Sequence, residues 1–308
     1  MQQRATPYGS ILRASDGTYW YTCGSWRLAS AADGIPSILA YAPEGRGFPH
    51  REGQKKLQLG GVTLLKISNQ PLDAYTQVYL PTVSRVMVGP RFGRLVFLWE
   101  DAVVEVRDPR AFTRRFVDAV CPEGPLAAEL LGLLGVEVED AGVWGSSLMF
   151  DEPVRRHETD LVIYGRKLSA KAYERFTGGA VPSEALELDP RLGLCTVFRY
   201  KGAPIDLFFD PNEREGHWLD RAAIRVVARL GDQCIRIADS SDGLFYPASY
   251  TCEGGKRLIS FRPAHARRFF APGARLRFDS LSLVEIVPLG GGAEEAYAVL
   301  DYETAEFL

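Results

Sequence analysis

The sequence predicts an α+β fold in which a mixed sheet with helices occupies the middle third, between two β-rich modules. Short β-branched and aromatic runs separated by turn residues fill the first part of the chain. Apolar residues at helical spacing begin near residue 109, and strands that alternate apolar residues with Arg return after about residue 220. We therefore predict three parts, residues 1–108, 109–219 and 220–308.

The first part, residues 1–108, is predicted to be a small barrel or sandwich. Turn signals such as Asp33-Gly34 and Gly60-Gly61 separate its apolar runs. The predicted strands lie at 19–23, 37–41, 62–67, 94–99 and 102–106. Because none of these runs has helical periodicity, we do not expect a helical domain here.

The middle part, residues 109–219, mixes helical and strand patterns. Predicted helices cover 110–120, 126–134 and 169–176, the last with Ser169 as its N-cap. Predicted strands cover 160–165, 194–200 and 205–209. This combination is the basis of the α+β prediction.

The last part, residues 220–308, is predicted to be a β-rich, barrel-like module. One of its segments, 261–278, interleaves basic and aromatic residues. Aromatic side chains separated by Arg suit single-stranded nucleic acid. The alternative is a β module whose aromatics form the core and whose Arg side chains face water.

Composition excludes several classes of protein. The chain has 308 residues, 46% of them hydrophobic and 24% charged, and a net charge of −3. These values exclude a disordered chain and a strongly basic protein that binds nucleic acid through its overall charge. The five Cys include no CxxC pair, so neither a disulfide framework nor a zinc site is expected. With no secretory leader at the start and no long apolar run, we expect a cytoplasmic protein that does not enter a membrane.

One stretch of the middle part carries residues suited to chemistry. Gly145-Ser146 precedes a loop that ends in Glu158-Thr159-Asp160 at the start of an apolar strand. Residues two apart on a strand share a face, so the carboxylates of Glu158 and Asp160 are expected side by side. A hard divalent cation relieves their repulsion, and Mg²⁺ is usually held by one or two carboxylates and substrate phosphates. Asp206, on a later apolar strand, is the predicted third carboxylate.

Gly145 and Ser146 are predicted to open a helix beside these carboxylates. Glycine allows a phosphate to approach the backbone closely, and free N–H groups at a helix start favour an anion. Phosphate at the helix start and metal at the strand start together predict a site for a nucleoside triphosphate. Lys171 is the predicted additional phosphate contact, although an exposed helical Lys is the alternative.

This pattern resembles the DNA polymerase beta-type nucleotidyltransferase superfamily, and the wider layout resembles an archaeal-type group of predicted nucleotidyltransferases. The resemblance implies that Gly145 and Ser146 hold phosphates and that Glu158, Asp160 and Asp206 bind Mg²⁺ or Mn²⁺. It further implies attack of an acceptor hydroxyl on the α-phosphate of an NTP, with pyrophosphate leaving. RNA or another nucleic acid is the expected acceptor, with a protein hydroxyl or a small molecule as the alternatives. Glu158 stands where the superfamily usually has Asp, which puts activity in question.

Other interpretations of these residues stay open at this stage. The acidic residues can be solvated strand-end residues, and Asp206 can be a surface residue of an edge strand. A catalytically silent module that binds nucleotide or RNA is the alternative function. A scaffold whose β modules bind protein partners is a third.

Overall fold

The structure is a computed structural model of the whole chain. It describes residues 6–24, 26, 28, 33–46, 53–67, 84–87, 95–118, 123–150, 159–185, 192–211, 219, 222–261, 268–288, 295–299 and 305–307. Three sheets use successive stretches of this chain, and a two-stranded sheet accompanies them.

The first sheet has eight strands, all paired antiparallel. They are β1 (Ile11–Ala14), β2 (Tyr19–Thr22), β3 (Gly34–Pro43), β4 (Lys56–Leu59), β5 (Val62–Lys66), β6 (Ser84–Met87), β7 (Leu95–Trp99) and β8 (Val103–Arg107). The main order is β4-β5-β3-β2-β1-β8, and β7 pairs with β3 and β6. Aromatic side chains of these strands are buried in two separate clusters, Trp20 in one and Tyr41 in the other, as expected for strands that bury both faces.

Two helices follow the first sheet. Asp108 caps α1 (Pro109–Val117) by accepting a hydrogen bond from Arg110 N at 2.8 Å, and Pro109 takes the first helical position. The second helix is α2 (Glu123–Leu134), which ends before Gly135 in the left-handed region at φ 71°. Both helices lie where their apolar periodicity predicts them.

The central sheet has five strands in the order β11-β13-β14-β10-β9. They are β9 (Ala141–Trp144), β10 (Thr159–Tyr164), β11 (Ser183–Ala185), β13 (Val197–Tyr200) and β14 (Ala203–Asp210), while α3 (Arg166–Thr177) follows β10. Only β10 and β14 are parallel, and the other pairs are antiparallel. The short β12 (Leu192–Cys195) pairs outside this sheet with β18 (Arg268–Phe270).

The third sheet joins the rest of the strands. They are β15 (Ala222–Asp239), β16 (Ala248–Cys252), β17 (Arg257–Ser260), β19 (Arg275–Pro288), β20 (Glu295–Val299) and β21 (Ala305–Phe307). The strand order is β15-β16-β17-β20-β19-β21, and β15 also pairs with β19. The first five strands in this order therefore form a closed ring, and β21 pairs with β19 outside it. Along the strands, buried residues such as Ile235 and Leu276 alternate with exposed residues such as Arg236 and Arg275. One face is therefore apolar and the other faces water.

The predicted α+β fold with a polymerase beta-like core is wrong. The described residues hold three α-helices against twenty-one strands, and curled, largely antiparallel sheets dominate them. Helical periodicity shows that a segment has one apolar face, but it does not show how many helices surround a sheet. Here helices cover one face of the central sheet, and residues from the β-rich parts cover the other. The division at residues 108 and 219 stays a prediction.

One predicted cap is also wrong. Ser169 lies inside α3, which begins at Arg166 after Gly165, and not at its start. The Ser169 hydroxyl is buried and donates to the carbonyl oxygen of Ile163 at 3.2 Å. The helix begins three residues early because Gly165, at φ 101°, turns the chain directly out of β10.

Candidate functional site

Two predicted site residues meet on the central sheet. Asp160 on β10 and Asp206 on β14 are direct partners in the parallel register. Neighbouring strands lie about 4.8 Å apart, and paired residues point to the same side of the sheet. The carboxylates of Asp160 and Asp206 therefore stand side by side, and both residues are half-buried. We call these two residues the acidic pair.

Alternation along the two strands fixes the face on which the acidic pair lies. Leu161, Ile163, Leu207 and Phe209 are buried in the cluster that includes the α3 residues Ala172 and Phe176. The residues between them project to the opposite face. The acidic pair therefore lies on the face away from α3.

An aromatic cluster adjoins the acidic pair on that face. Phe208, two residues beyond Asp206, packs edge-on against Trp144 with ring centroids 4.1 Å apart. Tyr8 from the start of the chain contacts both rings, at 6.0 Å from Phe208 and 5.7 Å from Trp144. Such packing holds the two strands in place and limits water access to one side of the carboxylates.

Gly145 is pressed against the acidic pair. Trp144 is the register partner of Asp160 on β9, so Gly145 follows immediately beside it. The backbone of Gly145 has φ 75°, in the left-handed region. A Cβ at this position would overlap Asp160 Oδ2 and lie 3.0 Å from Asp160 Cγ. Only glycine fits there, both for its backbone conformation and for the space.

The helix that begins at Gly145-Ser146 is a short 3-10 helix and not an α-helix. Residues Gly145–Met149 form a five-residue 3-10 turn, in which Ser147 to Met149 are buried. A single tight turn has too few aligned peptide groups for the helix-start argument. Ser146 is half-buried at the second position of this turn. The contribution of Gly145 is that its backbone, without a side chain, lies directly against the carboxylate of Asp160.

Arg107 connects this turn to the first sheet. Its Nη1 donates to the carbonyl oxygen of Met149 at 2.7 Å, and its Nε donates to Glu105 at 2.8 Å. Arg13 donates to the same carboxylate at 2.9 Å. Burial raises the pKa of Glu105, but the hydrogen bonds and charges of Arg107 and Arg13 outweigh it and lower the pKa below its usual range. The charged Glu105 thus holds Arg107 in position to fix the turn.

Glu158, the remaining predicted carboxylate, lies outside the described residues. In the part of the chain that the structure describes, no group of three or more His, Cys, Asp and Glu could hold a metal. Two carboxylates on adjacent strands nevertheless fit a hard cation, because Mg²⁺ commonly takes one or two carboxylates and fills its other positions with water and phosphate oxygens. The close approach of Gly145 leaves no side chain between the turn and Asp160.

Lys171 is not brought to the acidic pair. It is the exposed sixth residue of α3, and α3 packs on the opposite face of the central sheet. Arg199 on β13 is a cation that sequence reasoning missed. Its neighbour Val197 is the register partner of Asp206, so Arg199, two residues on, lies on the same face. Arg199 is exposed and donates to the carbonyl oxygen of Gly202 at 3.1 Å.

The alternating pattern of Val197-Phe198-Arg199-Tyr200 is the signal that could have found Arg199. Phe198 and Tyr200 are buried, so the residues between them belong to the face of the acidic pair. Choosing Arg199 from this pattern required knowing that β13 pairs with β14.

Searches against protein-family models, curated proteins and solved structures found no match to this chain. The resemblance to nucleotidyltransferases and the cytoplasmic location therefore stay predictions. Among the described residues, no helix is both long and apolar enough to span a membrane.

Proposed function

We propose that the acidic pair binds a divalent cation, Mg²⁺ or Mn²⁺, and that the protein transfers a nucleoside monophosphate from an NTP to an acceptor hydroxyl. The observation that carries the proposal is the parallel register between Asp160 and Asp206, with Gly145 against the first carboxylate. The proposal rests on this site and not on a fold family.

Each residue has a proposed role. Asp160 and Asp206 would hold the cation, which supplies charge neutralisation for the phosphates when bound. The Gly145-Ser146 turn would lie along the phosphate chain, since it presents backbone without a side chain at Gly145. Arg199, on the same face of the sheet, would neutralise part of the phosphate charge.

The reaction balances without any further reactant. The oxygen of the acceptor hydroxyl forms a bond to the α-phosphorus, and the bond from that phosphorus to the bridging oxygen breaks. Pyrophosphate leaves with the bond electrons, and the hydroxyl proton passes to Asp206 or to water. Positioning and charge neutralisation would provide most of the rate enhancement. A nucleic acid, RNA above all, is the proposed acceptor.

The first experiment measures transfer. The protein is incubated with α-labelled NTPs, Mn²⁺ or Mg²⁺ and a pool of RNA, and labelled RNA and released pyrophosphate are measured. Asp160→Asn and Asp206→Asn keep side-chain shape while removing the charge, and each should lower transfer by at least about 100-fold. Asp101→Asn, an exposed aspartate in the first part of the chain, is the matched control and should transfer normally.

A second measurement does not depend on the acceptor. Titration calorimetry with Mn²⁺ and a non-hydrolysable NTP should show that nucleotide binding needs the metal in the wild type. In both Asn variants, adding Mn²⁺ should no longer strengthen nucleotide binding. Nucleotide binding of equal strength with and without metal would contradict the proposal and favour the catalytically silent binding module.

A further inference from the structure

A pocket on the third sheet is lined by both exposed and buried residues. Its volume is about 470 Å³, within the range of sites for small organic ligands. Residues from β15, from β16 and the turn that follows it, and from the start of β19 line it. They are Cys234, Ile235, Arg236, Cys252, Glu253, Lys256 and Arg275.

Two of these residues are an unfavourable pair. Arg236 on β15 and Arg275 on β19 are directly opposite each other in the antiparallel register. Side chains at such positions have Cβ atoms about 5 Å apart, and like charges there are destabilising. Ile235 and Leu276, their neighbours in sequence, are buried, so alternation along the strands places both Arg side chains on the exposed face. We call Arg236 and Arg275 the basic pair.

The charges around the basic pair do not cancel. Arg236 donates to Glu253 at 2.9 Å, which accounts for the carboxylate in the lining. Arg275 and Lys256 have no ion-pair partner anywhere in the described ranges, and both are exposed. The carbonyl oxygen of Lys256 accepts from Cys252 N at 2.7 Å, which fixes the backbone of Lys256 at the pocket. The lining thus has three cations and one anion.

We propose that this pocket binds the phosphate group of a small phosphate ester, with Arg236, Arg275 and Lys256 as its ligands. A phosphate oxyanion removes the repulsion within the basic pair, and two guanidinium groups can each offer paired donors to it. The pocket volume leaves room for the organic part of the ester. This site is separate in the fold from the acidic pair, and it requires no metal.

Calorimetry tests the proposal with inorganic phosphate and AMP as probes, in buffer that contains EDTA. Both probes should bind to the wild type at one site, and adenosine, which lacks the phosphate, should not. Arg275→Gln should weaken binding of both probes at least tenfold. Arg229→Gln removes the same charge from an exposed position seven residues along β15 from Arg236 and should bind as the wild type does.

Failure of this proposal is distinguishable from failure of the proposed enzymatic site. Asp206→Asn should bind AMP in EDTA as tightly as the wild type, because the acidic pair has no part in the pocket. If either inorganic phosphate or AMP fails to bind the wild type at millimolar concentration, the proposal is overturned. Equal binding by Arg275→Gln and Arg229→Gln overturns it too.

Cys234 provides an independent measurement. It lines the pocket and is exposed, whereas Cys252 is buried and burial raises the pKa of its thiol to about 11. Inorganic phosphate or AMP should slow alkylation of Cys234 by iodoacetamide at least threefold, measured by mass spectrometry of its peptide. Arg275→Gln should abolish this protection, and protection that persists in that variant contradicts the assigned ligands.

Discussion

The acidic pair and the basic pair are the same kind of arrangement with opposite charge. In each, two like-charged side chains are register partners on neighbouring strands, Asp160 with Asp206 and Arg236 with Arg275. Like charges directly opposite one another lower stability, so each pair is expected to attract a counter-charge. The acidic pair fits a cation, and the basic pair fits a phosphate.

The two pairs differ in their surroundings. The acidic pair adjoins the aromatic cluster and Gly145, where any side chain would overlap Asp160. The basic pair lies on exposed strands, where long side chains can bend toward water. A site enclosed on several sides holds its groups in one geometry, as metal-dependent chemistry requires, whereas the open site only needs to present charge. Substitutions near the acidic pair should therefore have larger effects.

Gly145→Ala should cause the largest effect. The new Cβ overlaps the carboxylate of Asp160, and Ala at φ 75° is strained in any case. We expect a loss of about 3 kcal/mol in the free energy of unfolding and a loss of nucleotidyl transfer. Urea unfolding and the labelled-NTP assay measure the two effects.

Gly179→Ala is the matched control for that variant. Gly179 has φ 81°, close to that of Gly145, but nothing lies within 4 Å of its built Cβ. It should cost about 1 kcal/mol, from backbone strain alone, and keep normal transfer. Equal destabilisation by the two substitutions would show that contact with Asp160 is not what constrains Gly145.

Local patterns predicted the individual elements of the acidic site better than their assembly. Apolar runs placed Asp160 and Asp206 correctly on strands, because burial of alternate residues is a local property. The parallel register that makes them partners depends on the crossover through α3 and the strands after it, which no local pattern encodes. The same limit applies to Lys171, since its helix position alone does not tell which face of the sheet the helix covers.

The basic pair could not be predicted from the sequence, for a related reason. Arg236 and Arg275 belong to strands far apart in the chain, and each looks like one more Arg on the wet face of a strand. Three aromatic residues of segment 261–278, Phe261, Phe270 and Phe278, are buried in the core. The alternative with core aromatics and exposed Arg is thus confirmed for these three residues and for Arg275 and Arg277, while the side chains of 262–269 lie outside the description.

Arg107→Gln should have the next largest effect. The variant loses the charged hydrogen bonds to Met149 and Glu105, at a cost of about 2 kcal/mol. The Gly145 turn loses its attachment to the first sheet, so the Mn²⁺ affinity of the acidic pair should fall about tenfold. Calorimetry with Mn²⁺ measures this fall.

Arg13→Gln is the control for Arg107→Gln, because Arg13 contacts Glu105 but not the turn. Its surface ion pair should contribute less than about 1 kcal/mol, and Mn²⁺ affinity should not change. A similar fall in Mn²⁺ affinity for both variants would mean that the charge on Glu105, rather than the bond to Met149, supports the site.

Arg275→Gln should have the smallest effect, and of the opposite sign. In phosphate-free buffer of low ionic strength, removing one charge of the basic pair should raise the free energy of unfolding by about 0.5 kcal/mol. The gain should shrink in 1 M NaCl, where screening already weakens the repulsion, and reverse in saturating phosphate, which stabilises the wild type by binding. Urea unfolding of the variant and the wild type in the three buffers measures these differences in the free energy of unfolding. A variant less stable than the wild type at low ionic strength would show that the two guanidinium groups do not repel each other, and the reason to expect an anion between them would be lost.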